Sequence, residues 1–175
     1  AAKVSEMLSL PLDVAVVSKI TLPWNSESGF GAVAEDGTVR LNREMLHHIK
    51  LLPAEVEKGV SETKRKVMRR ANFLRGSGPF PDLRKRPVIL IDDGLASGIT
   101  MSVAVLSLKN REAGSIHIAV PTGYGKSVEG IAADVESLYC ANIRGGFSFA
   151  VADAYELWTD VPEKEARRIL ERYRD

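Results

Sequence analysis

Four consecutive apolar residues, Val88-Ile89-Leu90-Ile91, run directly into Asp92-Asp93-Gly94. That junction constrains the fold more than any other part of the chain. An apolar run of this length, closed by an acidic pair and a glycine, reads as a strand buried on both faces. A mostly apolar helix over residues 100–112 follows, with Gly114 as its expected C′ residue. A strand is expected at 116–120, a helix at 127–136 and a further short strand at 138–140. Strand and helix in alternation mean βαβ units, hence a parallel sheet with flanking helices.

Upstream, the chain opens on a short helix carrying Val4, Met7 and Leu8 on one face. Residues 12–20 read as a strand and residues 21–29 as a long polar loop, a length at which loops often carry function. Asp36-Gly37 between residues 32–35 and 38–41 is a hairpin signal. From Pro53 to Leu74, small or apolar residues at Val56, Val60, Thr63, Val67, Ala71 and Leu74 mark one amphipathic helix despite Gly59. Residues 76–87 form a Gly/Pro break. Near the end, Asp160 and Glu163 read as a capping pair for a helix with Pro162 in its first turn. The expectation is an α/β fold: a central, mostly parallel sheet flanked by helices, with an antiparallel hairpin insertion, over one domain of 175 residues.

Composition narrows the function classes. Lys and Arg number 24 against 23 Asp and Glu, a balance unsuited to coating nucleic acid or an acidic membrane. Lys64-Arg65-Lys66, Arg69-Arg70 and Arg84-Lys85-Arg86 read as solvated faces. The lone Cys140 supports neither an internal disulfide nor a zinc site, as in a reducing cytosol, and reads as a core residue. The longest apolar runs fall far short of the ~20 residues of a spanning helix. His47 and His48, being adjacent on a helix, point apart and cannot share a metal. The expected protein is soluble and cytoplasmic, with neither membrane nor nucleic acid as its partner.

The chemistry sits at residues 88–101. Asp92 and Asp93 leave the strand at its C-terminal end, where open α/β sheets bind ligands. Gly94 and Gly98 let the backbone curl, Ala96 and Ser97 add no bulk, and a helix starts near Ile99 with Thr100 in its first turn. Amides converging on a helix start, beside Ser and Thr hydroxyls, suit a phosphate. One loop thus offers carboxylate acceptors for sugar hydroxyls and a phosphate seat, the layout a ribose 5-phosphate needs. A response-regulator acidic pair would lie near the N-terminus with a further strand-end aspartate, and neither is present. Gly123-Tyr124-Gly125-Lys126-Ser127 imitates a P-loop, but Val120 stands where that loop needs its first glycine. The segment lies on the ligand edge all the same, so Thr122 and Tyr124 are candidate substrate contacts.

This run resembles the phosphoribosyl-diphosphate signature of the type I phosphoribosyltransferases: an apolar strand, two acidic residues and a small-residue loop closing on Gly98-Ile99-Thr100. Residues 12–41, with Val17-Ser18-Lys19 and then Gly31 to Gly37, are similar to an uncharacterised branch of predicted phosphoribosyltransferases. The resemblance covers about four-fifths of the chain, and its specificity lies in the signature itself. It implies that Asp92 and Asp93 hold the ribose hydroxyls and that Gly94, Ala96, Ser97, Gly98, Ile99 and Thr100 wrap the 5-phosphate. It implies that Lys19 faces the diphosphate and that residues 21–30 close over the site. Magnesium is expected as cofactor, carried mainly on substrate oxygens rather than by a direct protein ligand set. Phosphoribosyl diphosphate and a nitrogenous acceptor are the implied partners, and the family commonly forms homodimers. Residues 142–149, including Phe147, fall where the acceptor base would be met. Ala96 occupies the position at which the hypoxanthine/guanine enzymes carry an acidic residue, so the loop looks more like those of the adenine, orotate or uracil enzymes. The resemblance also implies a strand and a glycine-containing diphosphate loop before the first helix, which these residues do not include. A non-catalytic binding regulator of the same fold is the alternative reading, since holding the ligand requires only the acidic pair and the phosphate loop.

Overall fold

The computed structural model describes residues 1–76, 78–146 and 149–173. Its first sheet is antiparallel, in the order β1 (Val17–Leu22), β2 (Asn25–Ala34), β3 (Val39–Leu41). Residues 21–29 are therefore not a loop. Thr21 and Leu22 end β1, Pro23-Trp24 turn, and β2 begins at Asn25. The register slips between Ile20 and Thr21 and again between Thr21 and Leu22. These irregularities let a polar, Ser- and Gly-bearing sequence continue a ladder that its composition does not announce. At the other end, β1 starts at Val17 rather than at residue 12. Arg75 Nη2 donates to the Val14 carbonyl at 2.6 Å and the Val16 amide donates to Glu35 Oε1 at 3.2 Å, so side chains occupy backbone groups that a ladder would use. The Asp36-Gly37 hairpin forms as expected, with Gly37 at φ 88° and the Thr38 amide donating to Asp36 Oδ1 at 2.9 Å.

One face of this sheet is covered by α3 (Pro53–Arg75), which buries Thr63, Val67, Ala71 and Leu74 against Ile20, Leu22, Phe30 and Val33. Gly59 permits the close approach, because a Cβ there would lie 3.1 Å from Phe30 Cζ and 3.2 Å from Ile20 Cγ2. Two shorter helices flank this half, α1 (Ala2–Leu8) and α2 (Arg43–Ile49). The side chain of Asn42 caps α2 by accepting from the Met45 amide at 2.9 Å. Where α3 ends, the buried Arg75 pairs with Glu35, each side chain only 8% exposed, and also with Asp13 at 3.3 Å.

The second sheet is parallel, in the order β4 (Val88–Ile91), β5 (Ile116–Tyr124), β6 (Ser137–Arg144). Both β5 and β6 run about four residues past their sequence-based ends. Residues 142–144 are thus strand rather than loop, and Cys140 is a half-buried residue of β6 rather than a core residue. Between the sheets lies α4 (Ile99–Asn110). Met101, Ala104, Val105 and Leu108 pack toward the parallel sheet, while Val103 meets Ala32 and Ala34 of β2. Burial on both sides accounts for a helix that is apolar nearly all round.

Three expected ends fall differently. The chain leaves α4 through Glu112, at φ 56°, and Gly114 serves another purpose. A Cβ at Gly114 would lie 2.9 Å from the carbonyl of Lys85, so the glycine allows two backbones to touch. Helix α5 (Gly125–Ala132) stops short of residue 136 because the Glu136 amide donates to Ile116 O at 2.9 Å, already in the sheet. In α6 (Glu163–Glu171), Pro162 occupies the N-cap without a side-chain cap. Glu163 instead pairs with Arg69 at 3.6 Å and Arg70 at 3.3 Å, which ties α6 to α3.

Candidate active site

At the C-terminal end of β4 the chain delivers Asp92 and Asp93, both exposed to solvent. The Asp93 amide donates to Asp92 Oδ1 at 3.0 Å, which ties the pair together locally. Beyond Gly94 the loop is pinned to its neighbour. The Leu95 side chain, 1% exposed, plugs the core. The Leu95 amide donates to Thr122 O at 2.9 Å, and its carbonyl accepts from the Tyr124 amide at 2.8 Å. One residue later, the Ser127 hydroxyl donates to Ala96 O at 2.5 Å. Strand β5 and helix α5 therefore hold the loop by its carbonyl side.

Gly98 then turns the chain with φ 72° and ψ −3° and caps α4, a left-handed conformation in which glycine carries no Cβ penalty. Its ladder bond, from the Ser102 amide to Gly98 O at 2.8 Å, starts the helix. Among the described residues, no acceptor is found for the amides of Ala96 to Thr100. A row of N–H groups without such an acceptor, at the positive end of a 12-residue helix, has the chemistry that suits an anion.

The acidic pair bears an electrostatic burden. Desolvation, then the charge of Asp93, pushes the Asp92 carboxyl above its usual range. Desolvation, then Asp160, does the same for Asp93. Among the described residues, no Lys or Arg forms an ion pair with either. Two uncompensated carboxylates next to an anion seat gain from a ligand that brings hydroxyl donors or a cation.

Over this loop the chain following β6 folds back. Val151 packs on Gly94, where a Cβ would lie 2.6 Å from Val151 Cγ1. The Tyr155 hydroxyl donates to the Asp93 carbonyl at 2.6 Å, and its ring meets Trp158 edge-on at 5.1 Å. The Tyr124 ring lies 6.0 Å from that of Phe149, and Arg144 sits over Phe149 at 5.2 Å. From sequence, Tyr155 and Trp158 read equally as core residues or ligand contacts. The bond from Tyr155 to a main-chain carbonyl leaves no sequence signal.

Lys19 lies on β1 opposite Ala32, on the face shared with Val17, which packs toward α4. Its stem fills the space beside Gly29, where a Cβ would overlap it. Thr122 is 1% exposed and donates to Asn142 O at 3.2 Å, so it supports the floor beneath Gly94 and offers no free surface to a ligand. Tyr124 is the half-buried last residue of β5. Phe147 lies outside the described residues. His47 and His48 sit in the last turn of α2 with rings 6.1 Å apart. No helix among the described residues is long and apolar enough to cross a membrane.

The chain is 32% identical over 173 residues to two Mycobacterium tuberculosis proteins, MT0597 and Rv0571c, each named a putative phosphoribosyl transferase. The match covers 98% of this chain and 39% of each relative, so the chain spans about two-fifths of their length. Among solved structures, TT1426 from Thermus thermophilus superposes with a TM-score of 0.76 at 26% identity, covering 98% of this chain and 81% of that one. The phosphoribosyl transferase domain family matches residues 54–154, from the start of α3 through the acidic loop to the turn over it. The chain belongs to the phosphoribosyl transferase domain family.

Proposed function

We propose that this domain transfers ribose 5-phosphate from phosphoribosyl diphosphate to a nitrogenous base or related nucleophile, releasing diphosphate. One observation carries the reading: a single loop sets two uncompensated carboxylates beside a row of unpaired helix-start amides. Asp92 and Asp93 accept hydrogen bonds from the ribose hydroxyls. The amides of Ala96 to Thr100, with the Ser97 and Thr100 hydroxyls, hold the 5-phosphate.

In the reaction the bond from C1 to the diphosphate oxygen breaks, and its electron pair leaves with the diphosphate. The sugar becomes oxocarbenium-like until the acceptor nitrogen forms the new bond to C1. The protein contributes position and charge: the acidic pair faces the developing cation, and Lys19 attracts the leaving group. Ala96 offers no proton-transfer group, so the acceptor must present a nitrogen that is nucleophilic without help from this loop. Asp92 and Asp93 offer hard carboxylate oxygens of the kind magnesium prefers, and they would sit beside an ion carried chiefly by substrate oxygens and water. When bound, the ion neutralises the diphosphate.

The test incubates the protein with phosphoribosyl diphosphate, magnesium and a panel of bases, and measures diphosphate release. Release with at least one acceptor, lost in Asp92→Asn/Asp93→Asn, is expected. The double variant is also expected to bind ribose 5-phosphate at least about tenfold more weakly, since each charge-assisted hydrogen bond is worth roughly 1.5–3 kcal/mol. Undiminished binding would refute the site. Binding with no release for any acceptor would replace the enzyme with a binding regulator.

A further inference from the structure

Two neighbouring contacts join the segment after β6 to the acidic loop. Val151 closes on Gly94 so tightly that no Cβ fits between them, and the Tyr155 hydroxyl grips the carbonyl of Asp93 at 2.6 Å. The segment between them is a single 3-10 turn, Ala152–Ala154, closed by hydrogen bonds that the Ala154 amide donates to Val151 O and the Tyr155 amide to Ala152 O. A rigid turn therefore fastens both ends of one short stretch of main chain. That stretch, Asp93-Gly94, sets the direction of the Asp93 carboxylate, because the bonded carbonyl and the side chain leave adjacent atoms of the same residue. We infer that Tyr155 is a positioning residue, which orients Asp93 toward the sugar through the Asp93 carbonyl and takes no part in holding the phosphate.

This rests on the reading of Asp92 and Asp93 as sugar ligands. The phenol suits the role: desolvation and the charges of Asp93 and Asp92 keep it protonated above its ordinary range, so it remains a donor. Tyr155 is 37% exposed and its ring leans on Trp158, while its hydroxyl is engaged by the Asp93 carbonyl. The phosphate seat depends on different contacts, those of Leu95 and Ala96 with Thr122, Tyr124 and Ser127. Sugar and phosphate recognition are thus separately supported.

The experiment uses that separation. Ribose 5-phosphate and inorganic phosphate are titrated, each with magnesium, into the parent chain, Tyr155→Phe and Val151→Ala, with thermal unfolding recorded for all three. The parent is expected to bind ribose 5-phosphate more tightly than inorganic phosphate. Tyr155→Phe is expected to weaken ribose 5-phosphate by about three- to tenfold, the range of one lost hydrogen bond, and to leave inorganic phosphate unchanged. Val151→Ala is expected to act in the same selective direction by a smaller factor. Equal losses for both ligands would mean a purely structural role and overturn the inference, as would an unchanged preference in both variants. A parent with no preference for the sugar phosphate would instead overturn the sugar reading itself.

Discussion

Gly98→Ala perturbs the turn on which the proposed phosphate seat depends, and its cost has two separable parts. Gly98 adopts φ 72°, and placing an L-residue in the left-handed region costs about 1–2 kcal/mol. The new methyl would also lie 2.8 Å from Ile131 Cδ1 and 3.4 Å from Ser127 Cβ, an overpacked contact that costs roughly 1–3 kcal/mol. The expected loss is about 2–5 kcal/mol, which at roughly 2–4 °C per kcal/mol for a chain of this size lowers Tm by about 4–20 °C. Because the amides of the seat precede and follow Gly98, ribose 5-phosphate and inorganic phosphate should weaken by the same factor. Ile131→Val removes the offending Cδ1 and by itself costs about 0.5–1.5 kcal/mol. The double variant should recover the contact part and retain the dihedral part, giving a coupling energy of about 1 kcal/mol or more. Denaturant unfolding of all four proteins, with calorimetric titration of both ligands, decides the matter. A Gly98→Ala chain within about 0.5 kcal/mol of the parent, the scatter of ordinary surface substitutions, and with unchanged affinities would refute the reasoning.

Two further outcomes follow from charge. The raised carboxyl of Asp92 means that its ionised form opposes folding. That penalty is complete above the folded pKa, fades as pH falls through it, and is gone below the unfolded value of about 3.9. Asp92→Asn should therefore melt above the parent at pH 7 and match it near pH 3, and a difference independent of pH would count against the desolvation account. Arg75→Ala strands the buried carboxylate of Glu35 and should destabilise by about 3–5 kcal/mol. Arg75→Met/Glu35→Gln should recover much of the loss, as denaturant midpoints would show.

The parts of the fold legible in the sequence are those where one interaction dominates. The Val88–Ile91 strand, the acidic pair, the glycine turn and α3 all announce themselves through apolar runs, spacing or a lack of side chain. The β1–β2 hairpin does not, because its turn is Pro23-Trp24 rather than a Gly-bearing pair and its ladder is interrupted by register slips. Its polar residues carry loop composition into a strand. Residues 12–16 misread in the opposite sense: Val14 to Val16 have strand-forming side chains, yet Arg75 and Glu35, 61 and 19 residues away, occupy their backbone. Gly114 was legible as special but not as to purpose, since its reason is the carbonyl of Lys85 in a different loop. Within the candidate site, the acidic pair and the small-residue turn were readable from type and spacing. The clasp of Val151 and Tyr155 was not, because a contact with a main-chain carbonyl favours no residue pattern.

The loop between Gly94 and Gly98 hangs from its neighbours by main-chain groups and by the hydroxyl of Ser127. The side chains of Ala96 and Ser97, both exposed, carry no share of the suspension, which uses only the Ala96 carbonyl. A change in either side chain would alter the chemistry offered from above, the proposed phosphate contact of Ser97 included, while the grip below stays intact. A scaffold of this design can exchange its clientele through one or two outward side chains, whereas the inward Leu95 and the tightly confined Gly98 stay fixed.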